Sequence, residues 1–271
     1  MKIRLVATDL DGTLLDPFGK VAERTVRAVV AARAAGIHVI PVTGRPPQGL
    51  WDIAARAGLG PFGVCSNGAA TVDLDRNEII ETQTLARDIA LRLARAMRAA
   101  SPGIRLAVDV ADRFWYETGF FEFPAAWDET VTEVTDITEI LGPDCFKLVG
   151  RKPGMGPLEL IAQLEKHVGE EGHLTTSGLD WVDIGAPGIT KAYAMERVCD
   201  RLDVRVDEVV AIGDNHNDLP LLAWAGTAMA PANAIPEALA LAHRVLPANA
   251  DHGVATLLEE LVAGHPAMDV G

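Results

Sequence analysis

The chain has 271 residues, 49% of them hydrophobic, which suffices for two modest domains or one large one and is too apolar for a disordered chain. A net charge of −14 and a pI near 4.9 exclude an extended nucleic-acid or anionic-membrane surface, because both demand clustered lysine and arginine. Cys65, Cys145 and Cys199 are odd in number, widely spaced and without a CxxC pair, so neither a disulfide framework nor a structural zinc site is expected.

The first element is residues 3–15, IRLVATDLDGTLL, an apolar β-branched run that ends abruptly in Asp9 and Asp11. It predicts a buried strand of a parallel α/β sheet, and in such sheets ligands bind just beyond the carboxyl ends of the strands. Two carboxylates two residues apart repel each other unless a cation sits between them, and hard oxygen ligands suit magnesium. The same pair can also divide a reaction, one attacking as nucleophile while the other moves a proton. An Asp-Gly turn with no chemistry is the plain alternative.

Helical spacing over residues 22–35 and a stop at Gly36 lead to a second buried strand, residues 37–42, ending in Thr43-Gly44-Arg45-Pro46, where backbone N–H groups can cradle a phosphate. A short helix over 51–58 and a third strand over 62–66 complete a strand-helix alternation that indicates a doubly wound sheet. The pattern then changes. Residues 71–82 predict a hairpin around Asp75-Arg76-Asn77, 85–100 an amphipathic helix, and 105–110 with 113–118 an antiparallel pair around Ala111-Asp112. After a poorly patterned acidic stretch near 128–139, strands are expected at 145–150, 174–177 and 181–184 and a helix at 157–168. From Gly188 the parallel pattern returns: a helix opening at Lys191, a strand over 209–212 followed by Gly213-Asp214-Asn215-His216-Asn217-Asp218, strands at 227–230 and 244–246 around a helix at 232–242, and a closing helix over 254–262.

The fold class expected is therefore α/β: a doubly wound, Rossmann-like parallel core of residues 1–81 and 186–271, interrupted by an α+β cap of residues 82–185. Asp9, Thr43 and Asp214 end buried strands and Lys191 starts a helix beside the sheet, so one crevice can gather them. Together they supply what phosphoryl transfer needs: an anionic nucleophile, a divalent metal, donors for phosphoryl oxygens and an ammonium. Each taken alone has a duller explanation as a turn, a helix cap or a solvated helix start.

Asp9-Leu10-Asp11-Gly12-Thr13-Leu14 resembles the signature of the haloacid dehalogenase superfamily, whose phosphatases form an aspartyl-phosphate. The resemblance runs through nearly the whole chain. It implies Asp9 as nucleophile, Asp11 as acid/base, and Leu10, Thr43, Gly44, Lys191 and Asn217 as phosphate binders. It further implies magnesium held by Asp9, Asp11 (through its backbone oxygen), Asp214 and Asp218, with Asn217 and Asp218 completing a GDxxND element. The cap insertion and Ser66-Asn67-Gly68-Ala69 resemble the Cof-type branch, mostly phosphatases of sugar phosphates or related small metabolites. Ala192 departs from the glycine that often follows the lysine in relatives, without strain for a helix start.

The function expected is a magnesium-dependent phosphatase of small phosphorylated metabolites, sugar phosphates first among them, in the cytoplasm. No signal-like N-terminus and no apolar run of about 18 residues argue against export or membrane insertion. No nucleic-acid or membrane partner is expected, and both monomer and homodimer stay open. A phosphomutase on the same fold and a non-catalytic sugar-phosphate sensor are the alternatives; a sensor should have lost Asp9 or Asp11, and a dehalogenase would have no use for Asp11. Substrate contacts are sought at Arg45 and His216, and in the cap at Arg113, Trp115, Lys147, Arg151 and Trp181.

Overall fold

The computed structural model describes residues 2–111, 113–121, 131–142 and 145–264. Asp112 of the expected Ala111-Asp112 turn and the first part of the acidic stretch near 128–139 lie outside them. The chain opens with β1 (Leu5–Thr8), α1 (Glu23–Ala34), β2 (His38–Pro41) and α2 (Trp51–Ala57), then a meander of β3 (Phe62–Cys65), β4 (Ala70–Asp73) and β5 (Glu78–Thr82). Next come α3 (Arg87–Ala100), β6 (Arg105–Val110), β7 (Phe114–Glu117), β8 (Val131–Val134), β9 (Cys145–Arg151), α4 (Pro157–Val168), β10 (His173–Thr175) and β11 (Val182–Gly185). The chain returns through α5 (Lys191–Leu202), β12 (Val209–Ile212), α6 (Leu219–Trp224), β13 (Thr227–Pro231), α7 (Pro236–Leu241), β14 (Arg244–Leu246) and α8 (Gly253–Ala263).

Five of these strands form an all-parallel sheet in the order β14-β13-β12-β1-β2. Strand side chains alternate between faces, and β1 shows why both faces are covered. Val6 packs with α1 and α8, whereas Leu5 and Ala7 pack with α5, α6 and α7. The sheet is doubly wound, as its apolar strands predict. β3 differs from the expected third parallel strand. It pairs antiparallel with β4 and meets the large sheet through a single Val42–Val64 bridge, because the connection after it is a tight turn and not a crossover helix.

The second sheet runs β10-β11-β9-β6-β7-β8 and is antiparallel except where β7 meets β8. One face, carrying Leu106, Val108, Leu148, Val182 and Ile184, is covered by Leu93 and Met97 of α3 and Leu160 and Leu164 of α4. Leu85, placed on that helix by its apolar spacing, precedes it and makes an isolated bridge to Cys145. β8 and α6 were not anticipated: the first is a short, half-exposed strand in an acidic stretch, and the second is six residues opened by Leu219-Pro220, too short to show a helical period.

Between Asp109 and Val110 the β6–β9 register slips, so Phe146 has no partner in β6. Such an irregularity re-aims a side chain, and the Phe146 ring leaves its own sheet to join the core cluster of Val6, Leu50 and Leu258. The three cysteines are all buried, and burial pushes the thiols of Cys65 and Cys145 upward and that of Cys199 up to about 12. Among the described residues no helix is long and apolar enough to cross a membrane. Because Phe146 is fully buried and pins one sheet to the other's core, Phe146→Ala should cost about 3–5 kcal/mol in urea unfolding. A loss below about 1 kcal/mol would show that the ring is not a structural tie.

Candidate active site

Asp9 leaves the end of β1 with its N–H donating to Ile212 O at 2.9 Å, which ties it to the neighbouring strand β12. The chain then turns through Leu10–Leu14, closed by Leu15 N–H to Leu10 O at 2.9 Å. Gly12 takes a φ of +79° there, and a β-carbon on it would collide with the Asp214 carboxylate. This position therefore requires glycine on two counts. The Leu10 side chain is buried in the core, so only its main chain faces outward chemistry.

Lys191, fully buried at the first position of α5, donates to Asp9 Oδ1 and to Asp218 Oδ1, both at 2.6 Å. Asp218 uses its other oxygen to accept the N–H groups of Asp214 and Asn215 at 3.0 Å each. Asp214 Oδ1 accepts the Thr13 hydroxyl at 2.6 Å. Asp9, Asp214 and Asp218 each bring a carboxylate oxygen within 4.8 Å of the others. Three buried carboxylates thus face one ammonium. Burial opposes the charge on Lys191, but Asp218 and Asp9 outweigh it and hold the lysine protonated. Burial pushes Asp9 well above the usual carboxylate range; Lys191 offsets part of this and Asp218 and Asp214 add to it. Asp214 is pushed up to about 6 by burial and then by Asp218, with the Thr13 hydroxyl opposing. An all-oxygen, buried and under-neutralised donor set of this kind fits a hard divalent cation such as magnesium.

The Asp11 carboxylate stands outside that cluster. It is gripped by Arg45, whose Nε and Nη2 reach its two oxygens at 2.7 and 2.6 Å, a bidentate fork. Thr43 is buried, donates its N–H to Val64 O at 2.8 Å, and accepts the Arg45 N–H on its hydroxyl at 3.1 Å. Asn217 donates its side-chain amide to Asn67 Oδ1 at 3.0 Å, leaving its own Oδ1 buried without a partner among the described residues.

Asp9, Asp11, Thr43, Gly44 and Asn217 form the floor of a cavity of about 530 Å³ whose far wall is the second sheet, through Phe114, Val131, Lys147 and Val149, with Trp181 just before β11. Matching residues 6–258, a family model described as haloacid dehalogenase-like hydrolase spans both sheets. The chain belongs to that family.

Among relatives, YxeH of Bacillus subtilis (strain 168) is 29% identical over 274 residues, covering 96% of this chain and 98% of its own length. The pyridoxal phosphate phosphatase YbhA of Escherichia coli (strain K12) is 27% identical over 270 residues, covering 95% and 98%. The crystal structure of SMU.1108c from Streptococcus mutans UA159 superposes with a TM-score of 0.84 at 22% identity, covering 97% of this chain and all of that one, a likeness of fold.

In this hydrolase the two sheets are joined by a buried polar seam that sequence reading did not foresee. Ser66 donates to Asp109 Oδ2 at 2.6 Å, Asn67 to Asp183 Oδ2 at 2.9 Å, and Lys147 to Gly44 O at 2.8 Å, while Lys147 also pairs with Asp183 at 3.2 Å. Asn217 N–H reaches Thr176 O at 3.1 Å. Of the expected substrate contacts, Lys147 and Trp181 line the cavity, and so does Arg45, though its guanidinium is spent on Asp11. The others do not line it. Arg113 lies over the Trp115 ring, which packs toward α3; Arg151 pairs with Asp180; and His216 is half-buried beside Asn215. Phe114, Val149, Ser177, Leu179, Asn215 and Gln48 line the wall instead. A parity argument could have found two of them: with Lys147 facing the core, its i+2 neighbour Val149 must too, and of the β7 residues Phe114 shares that face while Trp115 does not.

Asp109 offers a pH test of the seam. Fully buried, it faces Lys147 across the β6–β9 pair, the Ser66 hydroxyl, Asp183 and the thiols of Cys65 and Cys145. Burial pushes it up to about 7, against the pull of Lys147 and Ser66. A raised folded-state pKa means a proton kept in the folded chain and released on unfolding, so this stability is full below about pH 4 and drains away as pH rises to about 7, at roughly 1.4 kcal/mol per unit at most. Asp109→Asn should flatten that decline in urea titrations at pH 4, 5.5 and 7. An unchanged slope would place the proton elsewhere.

Proposed function

We propose that this chain is a magnesium-dependent phosphatase of small phosphorylated metabolites, working in the cytoplasm through a phosphoryl group carried on Asp9. The observation that carries the reading is the meeting of Asp9, Asp214, Asp218 and Lys191 at the floor of a cavity roofed by a second sheet. The family assignment supports it, and so does the likeness to YbhA, a phosphatase of the phosphate ester pyridoxal phosphate.

Asp9 and Asp214 would hold magnesium with the Asp11 main-chain oxygen. When bound, the cation supplies charge neutralisation for the phosphoryl oxygens and for the carboxylates themselves. Asp218 would add its charge to the same site, and by accepting from Lys191 and two backbone N–H groups it also shapes the Asp214 loop. The Asp9 carboxylate attacks phosphorus while the bond to the leaving oxygen breaks, and Asp11 delivers a proton to that oxygen. Asp11 then takes a proton from water as it attacks the aspartyl-phosphate, releasing phosphate and restoring Asp9. Lys191 has three N–H donors, two given to carboxylates, and its third serves a phosphoryl oxygen together with Thr43 and the Gly44 main chain. Arg45 keeps the Asp11 carboxylate over the cavity between turnovers.

Exhaustive chelation should abolish phosphate release and added magnesium should restore it; release that survives chelation on every substrate would sink the metal-assisted reading. Asp9→Asn should fold, bind magnesium and be inactive, and beryllium fluoride should trap on Asp9; a trapped adduct on any other side chain removes it as nucleophile. Asp11→Asn should lower kcat by ~10²–10⁴ on alkyl phosphates and by less on aryl phosphates, whose leaving groups need less protonation. Equal losses on both would deny Asp11 the proton transfer.

A further inference from the structure

We propose that the leaving group accepted here is a planar ring, aromatic or heteroaromatic, borne on a primary alkoxide and seated against Trp181, and not a polyhydroxylated sugar. This rests on the phosphatase reading above and narrows it. The cavity of about 530 Å³ is far larger than a phosphoryl group needs, so its roof must meet the rest of the substrate. That roof is apolar: Phe114 and Val149 from the sheet and Trp181 just before β11, with Leu179 at the rim, 48% exposed, where an apolar side chain has no packing reason to be.

The Trp181 ring is set before any ligand arrives. Phe120 lies tilted against it at 5.8 Å and Phe121 meets it edge-on at 6.3 Å between ring centres, while Arg151 donates to the Phe120 carbonyl at 2.7 Å. An indole held by two neighbouring rings and lining a cavity is a stacking platform for a flat ring.

The polar side chains of the wall are partly committed to the main chain and to one another. Lys147 gives one N–H to Gly44 O and faces Asp183 with another. Gln48 gives its amide to Ala111 O at 2.6 Å and keeps a buried Oε1 that has no partner among the described residues. Asn215 Oδ1 accepts the His216 N–H at 2.9 Å. What remains is the Gln48 acceptor, the Asn215 amide N–H groups, the Ser177 hydroxyl and one lysine N–H, with Asn217 Oδ1 at the floor, a set that can serve the few polar substituents of a ring. A hexose would bury several hydroxyls there, and each without a partner weakens binding by about tenfold.

The test compares benzyl phosphate with glucose 6-phosphate, both esters of primary alcohols, on the full chain with magnesium. kcat/KM should be at least about tenfold higher for benzyl phosphate, and Trp181→Ala should lower the benzyl-to-glucose ratio by about tenfold while Trp181→Phe keeps most of it. A preference for glucose 6-phosphate, or a ratio that Trp181→Ala leaves unmoved, overturns the ring assignment; if Trp181→Ala does not fold, the wild-type ratio decides. Turnover of acetyl phosphate with neither ester hydrolysed also overturns it while leaving the phosphatase reading intact. Release from none of the three removes the phosphatase reading and the ring with it.

Discussion

The structure depends on one buried ammonium. Lys191 sits at zero exposure between Asp9 and Asp218, and removing a charge from water is costly enough that it persists only when its partners are fixed in place. Those partners come from different parts of the chain: Asp9 from the end of β1, Asp218 from the loop after β12. The lysine itself opens α5, where a helix dipole disfavours a cation, and the two carboxylates outweigh that preference. Thr190 caps the same helix by accepting the Tyr193 N–H at 3.2 Å, and Gly68 lies so close to the Thr190 carbonyl that no β-carbon fits. One ion triad therefore locates the first strand, the loop after β12 and the segment by which the chain re-enters its core.

The parallel order of the sheet makes this convergence possible, since every strand presents its carboxyl end on one edge and the crossovers stay away from it. The antiparallel sheet then closes over that edge, with one face spent on α3 and α4 and the other on the seam and cavity wall. Lys147 belongs to both: its ammonium ties Gly44 to Asp183 while its stem lines the cavity. The seam also shows how a polar contact can be as sequence-specific as an apolar one. Ser66, Asn67 and Lys147 each have a named acceptor there, and burial raises the affinity of Asp109 for its proton.

How much could be read from the sequence follows from how local each signal is. β12 and the opening of α5 coincide with expectation to the residue because an apolar four-residue run and a Thr-Lys helix start carry their own boundaries. The meeting of Asp9, Thr43, Lys191 and Asp214 was legible for a different reason: strand ends in a parallel sheet share an edge whatever their separation in the chain. The pairing of β3 was not, since four apolar residues look the same in parallel and antiparallel company. Nor was the Arg45–Asp11 fork, or the aromatic backing of Trp181 by Phe120 and Phe121, because side-chain partnerships across 30 or more positions leave no periodic trace. In the second sheet, charged and aromatic residues were favoured as ligand contacts on chemical grounds, and Arg113 and Trp115 failed on geometry: one of the two faces was already committed to helices.

The burial of the three thiols has a consequence for the setting in which such a protein can work. Oxidants and electrophiles attack thiolate, and none of Cys65, Cys145 and Cys199 presents one: all are inside, with acidities suppressed by the same desolvation that hides them. The polar groups around Asp9 are carboxylates, amides, a hydroxyl and an ammonium, chemistry that peroxide leaves alone. Thiol oxidation therefore finds no exposed target among these three cysteines, whereas a catalyst that attacks through sulfur would be silenced by it.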